Sequence, residues 1–516
     1  MSISGIRGSV SGRSNWSNDG SKDLRPHLRA TDAAAEQTND PGRMWMKRAH
    51  AIRDHATYLV GCAFLVSAIA FINRYPLVYS DSGAYIEALF TLRPVADRPI
   101  GYALIMRAVT WQSTLWTVVL FQGGMMAWLL YEALRQVLPS TIDIKRVHLP
   151  LLVVLMVCTS MPWYMAQIMP DAMTPMLAVI LFLLLHGEGL AVFKRAFLWA
   201  CLFFFLISHN AHVAMSFLFL GLSAAVLLVR RSFAGRYWMA WSGVLLTTFG
   251  GVFFVAQYNG AHGMRAEFSP ASNVFLSGKL CEGALLRDFL HERCPEVDYA
   301  LCPYRDDLPK TPGAFIWGDT SIVSRMGGDL QQVDALLAPT VHDLLSDPEY
   351  LGRYVRMALV ASVTQFFQVN TNSGILWCNE GSAPYSAVKK HLPWEESMYI
   401  TSLQAYNSWW NLGTMDQIVH VAILLSLVVI WFCWPKGKDQ VKLRALVTVL
   451  LAWVVLNAIV TASLANVYDR LQSRVAWLIV LAACLVLLKT TLGERMVRKF
   501  AMIERRPDQS SEPNQA

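Results

Sequence analysis

The sequence predicts an all-α polytopic membrane protein with about 10–11 transmembrane helices, amphipathic surface helices and a long outer loop domain. Of its 516 residues, 54% are hydrophobic and only 16% are charged, a composition too apolar for a soluble protein of this size. The apolar residues also fall into runs of roughly 17 to 25, the length that crosses a bilayer. Lysine and arginine concentrate in short loops between alternate runs, which is typical of cytoplasmic loops.

The apolar runs define the predicted spans. They cover residues 57–75, 114–134, 149–168, 172–187, 194–208, 211–229, 237–257, 414–434, 443–464 and 475–490. The polar segment before the first run lacks the apolar core of a cleavable signal peptide, so we expect the first span to be an uncleaved anchor.

The basic loops agree on a single orientation, with the N- and C-termini cytoplasmic. The segments then expected on the outer side are 76–113, 161–172, 208–212, 258–413 and 465–474. The predicted organisation is a disordered cytoplasmic tail (1–45), an N-terminal transmembrane module (46–257) that contains the first outer loop (76–113), a periplasmic loop domain (258–413), C-terminal transmembrane helices (414–492) and a cytoplasmic tail (493–516).

The segment 350–369 is apolar enough to compete as a span. If it crossed the bilayer, however, the basic loop at 436–444 would lie outside, against the positive-inside tendency. We therefore predict an amphipathic helix on the outer surface, with Arg353 and Arg356 directed away from the lipid.

Four of the nine cysteines, Cys281, Cys294, Cys302 and Cys378, fall in the long outer segment. In an oxidising compartment they predict two disulfides, and the sequence leaves all three pairings open. A zinc site is the weaker alternative, because none of the four shows a Cys-x-x-Cys spacing.

The candidate catalytic and binding residues lie in the predicted outer segments. Asp81 follows the first span, and Arg98 belongs to the same loop. Asp171 begins the fourth span, whereas Arg470 and Arg474 lie in the last outer turn, four residues apart and so on one face if the turn is helical. Arginines on the outer side run against the positive-inside tendency, which favours a specific role for them.

Each of these residues also has a structural interpretation. Asp81 and Asp171 are good helix N-cap residues, and the two arginines are able to reach lipid head groups or to pair with Asp469. The pair His209 and His212 has metal-like spacing, but no third ligand is evident, so a hydrogen-bonding pair is favoured.

Three short motifs resemble those of a known superfamily. They are Tyr79-Ser80-Asp81-Ser82-Gly83, Arg98-Pro99-Ile100-Gly101-Tyr102, which is similar to an Arg-Pro-Pro-Gly-Tyr pattern, and the acid Asp171 in the second outer loop. Asp347-Pro348-Glu349-Tyr350-Leu351 and Tyr468-Asp469-Arg470 add to the likeness. The chain resembles the C-type polytopic glycosyltransferases, which include protein O-mannosyltransferases, lipid A aminoarabinose transferases and rhizobial galacturonosyltransferases.

This resemblance implies an inverting transfer of a sugar from a polyprenyl-phosphate donor to an envelope lipid, glycan or protein acceptor, on the periplasmic side of a bacterial inner membrane. Asp81 and Asp171 are the expected catalytic residues, with Arg98, Arg470 and Arg474 on the donor phosphate. No cofactor and no metal are expected. Many members of the superfamily have paired acids in the first outer loop, whereas Asp81 lies between two serines, and a lone carboxylate is a poor site for a divalent metal ion. Membrane lipids are expected partners and nucleic acid is not.

Two alternatives come from other classes of protein. About ten helices suit a transporter or lipid flippase equally well, but such proteins usually carry ionisable residues in mid-span. A structural protein that binds a partner through a disulfide-bonded outer domain is the other.

Overall fold

The computed structural model describes residues 41–229, 235–375, 377–406, 412–491, 493–495 and 499. All regular secondary structure in these ranges is helical, and β-structure is limited to two isolated bridges. The predicted tails 1–45 and 493–516 lie mostly outside the described residues. Residues 41–45, which we expected in the N-terminal tail, belong to the first helix.

The chain divides into two compact units, Met1–Tyr58 and Leu59–Ala516. The helices before residue 262 are α1 (Pro41–Val66), α2 (Ala68–Asn73), α3 (Ser82–Thr91), α4 (Gly101–Thr110), α5 (Trp116–Val137), α6 (Ile144–Cys158), α7 (Met161–Met165), α8 (Met173–His186), α9 (Val192–Leu206), α10 (Asn210–Val229) and α11 (Gly235–Ala261).

The middle of the chain carries α12 (Ser272–Leu280), α13 (Leu285–Arg293), α14 (Pro312–Ile316), α15 (Ile322–Arg325), α16 (Leu330–Ser346), α17 (Pro348–Phe366), α18 (Ala383–His391) and α19 (Glu396–Ile400). The last part carries α20 (Leu412–Phe432), α21 (Val441–Leu464) and α22 (Asp469–Leu487).

Six helices among the described residues are long and apolar enough to cross a membrane. They are Trp116–Val137, Asn210–Val229, Gly235–Ala261, Leu412–Phe432, Lys438–Leu464 and Asp469–Leu487. The predicted class, an all-α membrane protein, is therefore confirmed. The finer count of about ten to eleven spans remains a prediction.

The other predicted spans correspond to shorter or interrupted helices. The run 57–75 is divided between α1 and α2 at Ser67, and the run 149–168 is divided between α6 and α7. Our expectation of one continuous helix over 149–168 was wrong, because Thr159 is extended (φ −140°) and Pro162 begins a new turn. Helices α8 and α9 have 14 and 15 residues, or roughly 21–23 Å of helix at 1.5 Å per residue.

The helices between residues 272 and 350 share an apolar core of their own. Leu286, Phe289, Phe315 and Leu337 are among its fully buried members. Helix α17 follows, and its first turn has the local chemistry expected of a helix start: Asp347 accepts a hydrogen bond from the Glu349 N–H at 2.9 Å, and Pro348 is the first residue.

One disulfide, Cys294–Cys302, is present in this region. The prediction that all four outer cysteines pair was wrong for Cys281 and Cys378, which are free and buried. Cys281 lies in the core of the middle helices, whereas Cys378 lies in a different part of the fold, where its carbonyl accepts a hydrogen bond from Tyr399.

Candidate functional site

The first and second loops on the predicted outer side run next to each other. Leu77 N–H donates to Ala166 O at 2.9 Å and Ile168 N–H donates to Leu77 O at 2.8 Å, which forms a parallel bridge. Ser82 Oγ adds a hydrogen bond to Ile168 O at 2.8 Å. These backbone contacts fix the loop that carries Asp81 beside the turn that carries Asp171.

Asp81 is at the N-cap position of α3, but its side chain makes no capping hydrogen bond. Its two carboxylate oxygens face two arginines instead: Oδ1 lies 3.5 Å from Arg98 Nη2, and Oδ2 lies 3.6 Å from Arg470 Nη1. The side chain is 35% exposed, so it is the accessible acid of the site. The capping interpretation of Asp81 is therefore wrong.

Arg98 is held from several directions. Its guanidinium pairs with Asp97, donates from Nη1 to the Asp81 carbonyl at 3.0 Å, and lies over the Tyr85 ring at 5.3 Å. Burial by itself would lower the pKa of Arg98, but Tyr85, Asp97 and Asp81 outweigh that effect and raise it. Arg98 is thus a fixed positive charge with a fixed orientation.

The glycine of the same motif has a steric role. Gly101 N–H donates to Ile207 O at 3.1 Å, and a Cβ at this position would lie only 2.3 Å from that oxygen. The start of α4 therefore approaches the turn after α9 more closely than any other residue type allows.

Asp171 and Arg474 form a buried ion pair in the centre of the site. Arg474 Nη1 contacts Asp171 Oδ1, and both side chains are 0% exposed. Arg474 Nη2 also donates to Asn457 Oδ1 of α21 at 3.0 Å. Asp171 lies inside the short turn Pro170–Ala172 and is not an N-cap residue, because the N-cap of α8 is Ala172, so the capping interpretation of this residue is wrong as well.

Arg470 connects the two acids. Its Nη1 lies 3.6 Å from Asp81 and its Nε lies 3.9 Å from Asp171 Oδ2, both too long for hydrogen bonds. The guanidinium lies 3.9 Å above the centre of the Tyr79 ring. Among the described residues, nothing accepts a hydrogen bond from the buried Arg470 Nη1 and nothing donates to the buried Asp171 Oδ2.

The segment after α17 covers this network. Ser373 Oγ accepts a hydrogen bond from Arg470 N–H at 2.9 Å, and Gln167 Nε2 donates to Gly374 O at 2.6 Å. A Cβ on Gly374 would lie 2.7 Å from Tyr164 Oη, so this covering segment requires a glycine for close approach. Sequence reasoning missed it, because it carries no charge and no motif.

The charges of the site balance. Asp81, Asp97 and Asp171 face Arg98, Arg470 and Arg474 in one connected network, so the formal charges of three acids and three arginines cancel. Tyr79, which borders the network, has its pKa raised by burial, with Arg470 acting in the opposite direction. The phenol therefore stays protonated and able to donate a hydrogen bond.

The two histidines serve as hydrogen-bonding groups. His212 contacts Thr174 Oγ1 through Nε2 at 2.8 Å and Phe205 O through Nδ1 at 2.7 Å. Burial and the charge of Arg474 hold the pKa of His209 well below its ordinary range. Within the described ranges, no cluster of three His, Cys, Asp or Glu side chains suits a metal ion.

Comparisons of the chain with protein-family models, with curated proteins and with solved structures gave no match.

All five predicted site residues, Asp81, Asp171, Arg98, Arg470 and Arg474, lie in the one ion network. The alternative partner Asp469 does not pair with either arginine; it accepts a hydrogen bond from Asn370 N–H at 3.0 Å. Asn457 was missed. A lone amide in the middle of an apolar span is the signal that would have found it.

Proposed function

We propose that this chain is a membrane glycosyltransferase of the C-type superfamily, which moves a sugar from a polyprenyl-phosphate donor to an envelope lipid, glycan or protein acceptor. The proposal places the reaction on the periplasmic side of an inner membrane. One observation supports it most strongly. The accessible Asp81 lies beside Arg470 and Asp171, each of which has a buried polar atom without a hydrogen-bond partner among the described residues.

Uncommitted buried polar atoms are rare in native structures, and each calls for an explanation. In this site they lie on a cation and an anion that approach each other at 3.9 Å without bonding. A bound phosphate oxygen would accept the free N–H of Arg470, and a sugar or acceptor hydroxyl would donate to Asp171. A ligand that carries both kinds of group would therefore satisfy both atoms.

The proposed reaction uses the residues as follows. Asp81 accepts the proton of the acceptor hydroxyl, whose oxygen forms a bond to the anomeric carbon as the bond from that carbon to the lipid phosphate breaks. The phosphate leaves with the bonding electrons. Arg98 and Arg470 neutralise its growing charge, a task that suits the planar guanidinium. Attack from the face opposite the leaving group inverts the anomeric configuration.

Asp171 and Arg474 have a positioning role in this proposal. Their buried pair fixes the start of α8 against α22, and thereby fixes Arg470, one turn before Arg474, next to Asp81. Since Asp171 Oδ2 remains uncommitted, it is also available to orient a sugar hydroxyl.

The test is the substitution Asp81→Asn. Because the Asp81 side chain does not cap α3, the amide leaves the helix intact but cannot take a proton. We expect normal abundance in the membrane and transfer lowered by roughly two to four orders of magnitude. The assay follows release of the labelled sugar from a polyprenyl-phosphate donor in membranes that contain each variant.

Asp329→Asn is the matched control. Asp329 caps α16 by accepting from Gln331 and Gln332 N–H at 2.8 and 3.0 Å, and asparagine caps about as well as aspartate, so activity should be unchanged. Equal rates of sugar transfer by Asp81→Asn and the parent would contradict the proposed mechanism. A chain that moves the intact donor lipid across the bilayer without cleaving it would instead be the transporter of the alternative interpretation.

A further inference from the structure

Helix α17 has one face that nothing in the described chain covers. Its other face is held in place: Tyr354 Oη donates to Ser463 O at 3.0 Å, and Gln365 Nε2 donates to Tyr468 O at 2.8 Å. Ser463 is in the last turn of α21, a helix long and apolar enough to span the membrane. Helix α17 is therefore held near the end of a candidate span.

The uncovered face is apolar along its whole length. Large apolar side chains recur at every fourth position and are 42–68% exposed: Leu351, Val355, Leu359, Val363 and Phe367. A continuous stripe of this kind is costly in water and favourable against acyl chains.

A cleft opens beside this stripe. Its volume is about 570 Å³, and Arg353, Arg356, Met357 and Val360 are among its lining residues. A second cavity of about 260 Å³ adjoins it across Gly283 and is lined by Arg287 and Lys310. The combined lining therefore includes both cationic and apolar side chains.

The acids near the cleft are already paired. Glu282, on its wall, contacts Lys279 at 2.5 Å, and Asp288 pairs with Arg353. No carboxylate among the described residues lies within ion-pair distance of Arg356 or Lys310, and Arg287 Nε is buried without a hydrogen-bond acceptor. Positive charge is thus left over for a ligand.

We propose that this cleft binds an anionic phospholipid of the outer leaflet, with its phosphate between Arg356 and the Arg287–Lys310 side and an acyl chain along Met357 and Val360. The cationic lining residues, the apolar lining residues and the position near the end of a candidate span all match this one occupant. Because Val467, three residues before Arg470, also lines the cleft, the bound lipid lies next to the turn that carries the candidate site. The inference does not depend on glycosyl transfer.

The experiment measures lipid binding to the purified full chain in detergent by native mass spectrometry. Dioleoylphosphatidylglycerol should bind more tightly than dioleoylphosphatidylcholine, and glycerol 1-phosphate should not compete. Arg356→Gln should weaken phosphatidylglycerol binding roughly tenfold, as expected for loss of one charge-assisted contact. The double variant Arg356→Gln/Lys310→Gln should weaken it further.

Arg305→Gln is the control, since Arg305 is partly exposed and pairs with Asp306 at 3.7 Å outside the cleft. It should bind like the parent. Unchanged phosphatidylglycerol affinity in Arg356→Gln overturns the proposal. Effective competition by glycerol 1-phosphate also overturns it, because the cleft would then be a site for soluble anions. No donor sugar is present, so failure of this test is separate from failure of the proposed function.

Discussion

Arg474 of α22 pairs with Asp171 in the turn before α8, and both side chains are completely buried. Two charges removed from water are costly, and they are tolerated only as a pair with further hydrogen bonds. Arg474 obtains one from Asn457 at 3.0 Å. The relationship ties three separate helices to one point beneath Asp81.

Asp171→Asn should therefore strongly destabilise the protein. It leaves the Arg474 charge buried and uncompensated, and loss of one member of such a pair costs about 3–5 kcal/mol. Thermal unfolding in detergent measures the effect. The double variant Asp171→Asn/Arg474→Met, which removes both charges, should recover most of the stability but no activity.

The control for this prediction is the exposed pair of Arg325 and Asp307, whose side chains are 40% and 58% exposed. Arg325→Gln should cost less than about 1 kcal/mol. If Asp171→Asn lowers stability no more than Arg325→Gln does, the central pair does not hold the helices together.

Arg470→Lys should reduce transfer without reducing abundance. Lysine keeps the positive charge, but it lacks the planar fork that spans Asp81 and Asp171 and stacks on Tyr79 at 3.9 Å. We expect a roughly tenfold to hundredfold lower rate, equivalent to about 1.5–3 kcal/mol for a lost charge-assisted contact.

Arg444→Lys provides the comparison. Arg444 is in the first turn of α21, where it donates to Gly437 O at 3.4 Å, and its replacement should leave sugar transfer unchanged. Equal rates for Arg470→Lys and the parent would show that charge alone, and not the guanidinium shape, matters at this position.

The sequence was sufficient to single out the five residues that meet in the ion network, because each departs from a local expectation. Asp171 directly precedes an apolar run, Asp81 lies six residues after one, and Arg470 and Arg474 lie where positive charge is disfavoured. Topology predicts that these residues lie close together, since all of them are in loops predicted on the outer side of the membrane. The partners of these residues were harder to predict, because Asn457 and the segment at Ser373 and Gly374 contact the site only through residues distant in sequence.

Helix boundaries failed for a similar reason. Hydropathy averages over a window, so it joined α6 and α7 across Thr159 and Pro162, where the backbone in fact turns. Pairing of Cys294 with Cys302 was one of several options that composition alone cannot rank.

Cys281 and Cys378 should resist alkylation in native membranes. Both thiols are free and buried, and burial raises their pKa to about 12 and about 11, so little reactive thiolate forms at neutral pH. The measurement is a maleimide mass shift in a variant whose other free cysteines are replaced by alanine.

In that variant, unfolding in detergent should expose two thiols without reductant, and reduction should expose two more from Cys294 and Cys302. No thiols before reduction and four after it would mean that Cys281 and Cys378 are also disulfide-bonded, contrary to the structure.

Glu87 connects α3, the helix that follows Asp81, to α18. Its carboxylate lies 2.8 Å from Lys390 Nζ and 2.6 Å from His391 Nε2, and α3 and α18 approach so closely that a Cβ on Gly83 would lie 2.5 Å from the Ala383 backbone. Partial burial alone would raise the pKa of Glu87, but the hydrogen bonds from Lys390 and His391 outweigh burial and lower it.

A lowered pKa in the folded state gives stability that is complete above the unfolded value, near 4.5, and that is lost as the pH falls through the folded value. Glu87→Gln should therefore lower the unfolding temperature at pH 7, by the equivalent of less than about 1 kcal/mol because the pair is partly exposed. At pH values below the folded pKa the parent and the variant should unfold at the same temperature, since Glu87 is then protonated in both states. Glu296→Gln, at an exposed acid with no ion-pair partner among the described residues, should track the parent at every pH. A constant difference between Glu87→Gln and the parent across the whole range would show that Glu87 acts through shape rather than charge.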